Sequence, residues 1–342
     1  MGLAALRFCP AAEASAGGAM GPETRRDLAI MTYALNGEQV RSVKALIRSV
    51  RDLAGPYRDS RIFVVLGGPD KTAGEALKGP NILLLDLDMD AAFRDYPLAG
   101  KAFAAAQVEK AQDRDAGTLV WLDPGVLVLG SLTALDLEER FDAVLRPVTL
   151  SNTIGLPPGV ESDDYWKPIY EANGLDYRKL PVLETIADQV RIQPYYNCEV
   201  YSVNPKEGIC AAWADTLARL LKDENYQRSS CSIFLRRLFL HQAVLSGVIS
   251  ARLKPDRIRP LPLTSGYPFN QHPNLSASRR VSSLNDLAVV IFDDAWERNP
   301  AWMDSIPIRE PLRDWLVKTY TEYLKPNDQD REDNIQSPAP ER

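Results

Sequence analysis

Asp123 stands at the junction of two apolar runs, Thr118-Leu-Val-Trp-Leu-Asp123 and Val126-Leu-Val-Leu-Gly130. A carboxylate is costly to hide among hydrocarbon, so a strand ending on one must deliver it to solvent, a hydrogen-bonding backbone, a metal or a ligand. The Pro124-Gly125 turn that follows makes the position a candidate site at the end of a buried strand. Other polar groups interrupt apolar stretches further on: Asn197 and Glu199 in Tyr195-Tyr-Asn-Cys-Glu-Val-Tyr-Ser-Val203, the pair His241-Gln242, and Asn270 with His272 in a Pro-containing loop. A catalytic histidine needs a nucleophile or an orienting partner, and neither of the two histidines has one nearby in sequence. Two tempting loops lack the residues their chemistry demands. Asp86-Leu-Asp-Met-Asp90 has neither the glycine nor the closing glutamate of a calcium loop, and Gly67-Gly68-Pro69 lacks the Gly-x-Gly-x-x-Gly spacing of a phosphate-binding turn, so both read as turns.

The elements needed to position these residues are legible as patterns. Leu28–Leu35 reads as a strand, Asn36-Gly37 as the turn into a helix, and Val40, Val43, Ile47 and Val50 as that helix's buried stripe. Arg61–Leu66 and Asn81–Asp86 are continuous apolar runs, as expected of parallel strands covered on both faces. A helix from about Leu98 to Gln112 then precedes the Asp123 strand. This order predicts an α/β fold with a mostly parallel central sheet flanked by helices. Asp142–Val148 and Tyr195–Val203 read as further strands, and the stretch from 151 to 193 as a long loop or lid. Helices are expected from Asn204-Pro205 to Lys222 and from Phe234 to Ile249. Pro311–Leu324 is expected to form a C-terminal helical extension with a Leu312, Trp315, Leu316, Tyr323 stripe.

Composition bounds the function. The chain has 342 residues, 45% hydrophobic and 25% charged, with a formal net charge of -6. That is enough apolar material for a sizeable core, and the charge leaves no footprint for nucleic acid. Cys9, Cys198, Cys210 and Cys231 show no Cys-x-x-Cys spacing, so they support neither a zinc site nor a disulfide framework. Without a membrane-spanning apolar run or a secretory leader, the expected location is cytoplasmic. Residues 1–25 are expected to be a flexible lead, 26–308 the body (a first half, 26–148, and a second half, 149–308), 309–325 the C-terminal helix, and 326–342 a polar disordered tail. Oligomeric state is left open.

From Leu28 to Asp294 the linear order of these motifs resembles the GT-A (Rossmann-like) nucleotide-diphospho-sugar transferases, nearest to the family 8 glycosyltransferases. Ile30-Met-Thr-Tyr-Ala34 resembles the edge strand that receives the nucleobase and ribose, and Leu119–Asp123 the strand ending in Asp-x-Asp. Tyr196-Asn197-Cys-Glu-Val is similar to the family's Phe-Asn-x-Gly strand bordering the sugar. His241-Gln242 resembles its Asp-Gln helix start, and Leu261-Pro262 with Tyr267-Pro-Phe-Asn270 its Leu-Pro…Asn segment. The resemblance implies transfer of a sugar, with retention, from a nucleotide-diphospho-sugar, a UDP-sugar first, to an acceptor hydroxyl of unknown identity. It places Thr32, Tyr33, Ala34, Asp123 and Gly125 at the nucleotide, where Lys101 is added as a candidate cation, and Asn197, His241, Gln242 and Asn270 at the sugar or acceptor, with His272 added because its loop position beside Asn270 suits a cleft. Asp123, Gln242 and Glu199 are the candidate catalytic residues.

The departures from the pattern bear on mechanism. Gly125 stands where the second acid belongs, Glu199 where a glycine gives the sugar room, and Val289-Val-Ile-Phe292 carries no histidine. The expected cofactor set is therefore no metal. The alternative is Mn²⁺ or Mg²⁺ on Asp123 with Asp293 or Asp294. Without a metal, the diphosphate must be met by Lys or Arg or by helix N-terminal N–H groups, and Lys101 and Lys110 are the first candidates. The same departures fit a second reading, a GT-A-like scaffold that has lost transfer activity.

Overall fold

The computed structural model describes residues 27–68, 72–112, 116–292 and 301–324. Strands β1 (Leu28–Ala34), β2 (Arg61–Leu66), β3 (Ile82–Asp86) and β4 (Thr118–Leu122) form the parallel half of a seven-stranded sheet. Between the first two runs α1 (Gly37–Leu53) opens on Asn36, whose side chain accepts from the Gln39 N–H at 2.8 Å, while the Gln39 side chain accepts from the Leu35 N–H at 2.7 Å. These reciprocal bonds satisfy donors that helix geometry leaves orphaned, which fixes the strand-to-helix turn. The short α2 (Thr72–Glu75) follows β2, and α3 (Ala99–Ala111) precedes β4.

Beyond β4 come β5 (Val126–Val128), β6 (Ala143–Leu145), α4 (Trp166–Ala172), the short hairpin β7 (Leu183–Glu184) and β8 (Arg191–Ile192), and β9 (Val200–Val203). Helices α5 (Ile209–Lys222), α6 (Glu224–Ser229), α7 (Phe234–Leu238) and α8 (Leu240–Arg252) follow, then β10 (Ile258–Pro260), β11 (Ser265–Pro268) and β12 (Val289–Ile291). A last helix, α9 (Leu312–Thr319), continues as a π-helical turn, Tyr320–Leu324. The large sheet has the order β10-β6-β9-β4-β1-β2-β3, with β9 alone running against its neighbours. A second sheet, β11-β12-β5, branches from the turn after Asp123.

Period-two alternation splits the core. Ala29, Met31 and Tyr33 of β1 face a cluster built with α3, α5 and α8, while Leu28, Ile30 and Ala34 face one built with α1. The sheet is thus sandwiched, as continuous apolar strands require. The C-terminal extension packs onto α1, tied there by Trp315 Nε1 to Asp52 at 2.8 Å and Arg48 to Glu322 at 2.6 Å.

Several expectations need correction. The first strand is no edge, since β1 lies between β2 and β4. The helix expected from Asn204 begins as a 3-10 turn at Pro205–Glu207, and Gly208, at φ +60°, breaks it before α5. The long helix expected from Phe234 is two, because Phe239 interrupts the hydrogen-bond ladder between α7 and α8. The strand read at 142–148 is regular over three residues, then continues as one bridge between Pro147 and Tyr196. Residues 1–26 and 325–342, and with them the expected lead and tail, lie outside the described residues.

Candidate functional site

Parallel strands β1 to β4 and β6 all end at one edge of the sheet, and β9, being reversed, begins there. This topology brings Asp123 and Glu199 together although 76 residues separate them. The Asp123 N–H donates to the Glu199 carbonyl at 3.0 Å, and the Asn197 N–H to the Arg146 carbonyl at 2.9 Å. The second sheet reaches the same edge: the Phe292 N–H donates to the Gly125 carbonyl at 2.9 Å, and Ile291 is paired with both Val126 and Pro268. Asn270 and His272 therefore leave β11 beside the Asp123-Pro124-Gly125 turn.

Lys101, in the first turn of α3, aims at this edge from below. Its ammonium lies 2.5 Å from Asp123 Oδ2, with Lys101's side chain 3% exposed and Asp123's 16%. Trp121, two residues earlier on the same face of β4, donates its Nε1–H to the other oxygen, Oδ1, at 2.5 Å. Both carboxylate oxygens are thus held. Lys101 also reaches Cys198 Sγ at 3.7 Å, and that sulfur lies 3.3 Å from His241 Nε2 and 3.1 Å from Gln242 Oε1. His241 Nδ1 sits 3.0 Å from the Leu238 carbonyl, so Nδ1 carries the proton and Nε2 is an acceptor, sharing the single Cys198 S–H with Gln242 Oε1. Glu199 Oε2 accepts from Asn197 Nδ2 at 2.7 Å, and its N–H donates to Asn197 Oδ1 at 3.0 Å.

Burial sets the protonation states. Burial, countered by Lys101 and reinforced by Glu199, lifts the Asp123 carboxyl to about 6, so it is ionised at neutral pH. For Lys101, burial works against the charge, but Asp123 with Cys198, Tyr33 and Glu199 outweighs it and holds the ammonium above its ordinary value. Burial pushes the Cys198 thiol up to about 12 and keeps His241 well below 6.5, so both are neutral. The cluster is therefore one cation against Asp123, backed by neutral polar groups.

The expected site residues divide by exposure. Asp123, Gly125, Glu199 and His272 are partly exposed and Asn270 is exposed, whereas Asn197 and Gln242 are nearly buried at the edge. Thr32, Tyr33 and Ala34 are at most 2% exposed, and the Thr32 hydroxyl lies inside the sheet without a hydrogen-bond partner. Burial there leaves no exposed surface for the direct nucleoside contact expected of them. His241 is likewise not a cleft residue: at 1% exposure it backs Cys198. His272 is held by Tyr267, whose hydroxyl is 2.6 Å from its Nδ1. Lys110, nine residues along α3 from Lys101, is about 14 Å away at the far end of the helix. There it lines a separate pocket of 520 Å³ with Gln112, Lys206 and Gly208. Sequence reasoning missed Cys198 and the Trp121 Nε1–H. The signal for both is period-two alternation, which points Trp121 and Asp123 to one face of the chain and Cys198 away from Asn197 and Glu199.

The described residues do not fit a divalent metal. They contain no group of three or more His, Cys, Asp and Glu able to hold one, and Asp293 and Asp294 lie outside them. A Mg²⁺ on Asp123 Oδ2 would sit roughly 4 Å from the Lys101 ammonium. Repulsion there is about 8 kcal/mol at an effective dielectric constant near 20.

A family profile described as the Rhodobacterales glycosyltransferase domain matches residues 65–252, more than half of the chain. No curated protein matches. Among solved structures, an active-site mutant of LgtC matches with a TM-score of 0.54 at 15% identity, covering 89% of this chain and 99% of that one. The galactosyltransferase LgtC in complex with donor and acceptor sugar analogs matches at 0.49, with 15% identity over 89% and 99%. The apo bifunctional glycosyltransferase WbbM matches at 0.51, with 12% identity over 94% of this chain and 53% of that one. The mixed sheet and its order are those of the GT-A fold, as the motif resemblance implied.

Proposed function

Since this chain belongs to the Rhodobacterales glycosyltransferase domain family, we propose that it transfers a sugar from a nucleoside-diphosphate donor to an acceptor hydroxyl at the Asp123 edge, without a divalent cation. The observation that carries the reading is the Lys101–Asp123–Trp121 arrangement at the carboxyl ends of the parallel strands. Ligands of open α/β sheets bind in this crevice. Breaking the bond from the anomeric carbon to the diphosphate builds positive charge on carbon and negative charge on the leaving phosphate. The chain's task is to hold the acceptor in line and stabilise that charge, so no triad is required.

In this reading Asp123 accepts from donor hydroxyls through the lone pairs that Lys101 and Trp121 leave open. Gly125, with no side chain, lets the diphosphate approach the turn. Asn197 and Gln242 line the sugar side, and Gln242 is fixed by the Cys198 thiol. Glu199, held by Asn197, faces the reacting carbon as a base or a sugar-hydroxyl ligand. Asn270 and His272, leaving β11 at the same edge, stand on the acceptor side. A UDP-sugar is the first donor to test. The alternative of an inactive scaffold has no observation in its favour, since the charged and polar groups of the edge remain assembled.

A thermal-shift panel of UDP, GDP, UDP-glucose, UDP-galactose and GDP-mannose, each with EDTA, Mg²⁺ or Mn²⁺, tests this. A ligand at 100 times its Kd adds about 2.7 kcal/mol of stability. The expected result is stabilisation by a uridine ligand in EDTA. Stabilisation only with Mn²⁺ would return a metal to the site, and no shift with any nucleotide would refute the donor reading.

A further inference from the structure

We infer that Lys101 is the resident cation of this site, a positioning residue that neutralises Asp123 from behind so that a diphosphate can approach the carboxylate without a bridging divalent ion. The inference rests on the donor reading and deepens it. A carboxylate and a diphosphate repel one another, and a site that brings them together must place positive charge between or beside them. The Lys101 ammonium is beside Asp123, at 2.5 Å, on the side away from solvent. Its side chain is only 3% exposed, so the ammonium is held beneath the edge rather than in solvent.

The groups behind the ammonium suit a fixed charge. Cys198 offers a neutral sulfur at 3.7 Å, and that thiol is pinned between His241 Nε2 and Gln242 Oε1. His241 stays uncharged, with its proton on the Nδ1 facing Leu238, so it adds no second positive charge behind Asp123. Trp121 holds the other carboxylate oxygen. The glycine at 125 and the buried lysine at 101 are then two halves of one replacement. The turn has given up a carboxylate that only a divalent ion would need, and the helix below supplies a single charge that balances the carboxylate remaining.

The test is calorimetric titration of UDP at pH 8, in EDTA and in Mn²⁺, into wild type, Lys101→Met, Lys101→Arg and the double variant Lys101→Met/Asp123→Asn. Circular dichroism checks each fold, and the electron paramagnetic resonance signal of free Mn²⁺ reports metal uptake. Wild type should bind UDP equally in both buffers and lower the free Mn²⁺ signal no further than the same UDP does without protein. Lys101→Met should bind at least tenfold more weakly in EDTA and recover part of the loss with Mn²⁺, while Lys101→Arg stays nearer wild type. The double variant buries no charge, so it stays testable if Lys101→Met fails to fold, and Mn²⁺ should not alter its binding; a Mn²⁺ gain there would overturn the inference. Wild type that binds UDP only with Mn²⁺ would overturn the role of Lys101 and keep the donor reading. Lys101→Met that binds as well as wild type in EDTA would do the same. Absence of UDP binding to wild type in both buffers would overturn the donor reading, and the inference with it.

Discussion

Replacing Lys101 by Met should add a pH dependence to the protein's stability above pH 6 that Asp123 does not give the wild type. The Asp123 carboxyl rises from 3.8 to about 6 on folding. At 1.36 kcal/mol per pH unit, that is a penalty of about 3 kcal/mol for burying the ionised form. The sign follows from linkage: a carboxyl raised by folding favours the folded state below its unfolded value, near pH 4, and that advantage is lost as pH climbs to its folded value. In the wild type the loss is complete just above pH 6, and Asp123 adds no slope beyond. Lys101 is the chief group holding the carboxyl down, so Lys101→Met moves its titration higher. The penalty then keeps growing above pH 6 by about 1.4 kcal/mol per unit, up to about 2.7 kcal/mol by pH 8. These are ceilings, because the Asp123 side chain retains 16% exposure. Lys101 itself, raised by its anionic neighbours, contributes stability that is lost only as alkaline pH passes its folded value. Its removal between pH 6 and 8 is therefore a constant offset. Urea unfolding of both proteins at pH 6, 7 and 8 reads the difference directly. A difference that stays flat across that range would refute the coupling of Lys101 to Asp123.

Three further substitutions probe the same edge and its support. Trp121→Phe removes the donor to Asp123 Oδ1 and should cost about 1–3 kcal/mol for the unsatisfied oxygen, in addition to the smaller ring's cavity. Urea unfolding that shows no loss would mean the bond is not made. His241→Gln should abolish part of the acid sensitivity: a histidine held neutral contributes stability present above pH 6.5 and lost as pH falls, at about 1.4 kcal/mol per unit. Wild-type and variant stabilities that run parallel from pH 7 to pH 5 would argue against that role. Gly247→Ala would place a Cβ 2.8 Å from Ile169 Cγ2 and 3.1 Å from Asn173 Nδ2, where α8 crosses α4. A loss of about 1–3 kcal/mol is expected from overpacking, read as a lower melting temperature, and an unchanged one would contradict the packing.

Much of this architecture is legible in the residue order. The runs Leu28–Ala34, Arg61–Leu66, Ile82–Asp86 and Thr118–Leu122 are apolar throughout because both faces of their sheet are covered, and that signature needs no partner to be read. Asp123 announces itself by the cost of a carboxylate between such runs. What could not be read is which long-range pairs the topology makes. The reversal of β9 is invisible in Val200–Val203, since a short apolar strand looks the same in either direction, yet it is what carries Glu199 to Asp123. Lys101 and Lys110 looked equivalent because α3 is rich in alanine and has no clear apolar stripe to give the helix a facing. His241, at a helix start, reads equally as a structural hydrogen-bonding residue and as an acceptor ligand. The break at Phe239 turns α8 so that its first residues are buried, and the ring serves Cys198 instead. Thr32 and Tyr33 were matched to an edge strand, and pairing of β1 on both sides encloses them.

The Asp123 edge is expected to break a sugar–diphosphate bond without a divalent cation. Phosphorus nuclear magnetic resonance of a UDP-sugar incubated with the protein in EDTA tests it most directly, with Asp123→Asn as the control. The two diphosphate resonances of the donor should give way to those of free UDP with wild type and persist unchanged with Asp123→Asn, while both proteins keep the same circular dichroism spectrum. Equal release of UDP by the folded variant, or release by wild type that begins only when Mn²⁺ replaces EDTA, would contradict it.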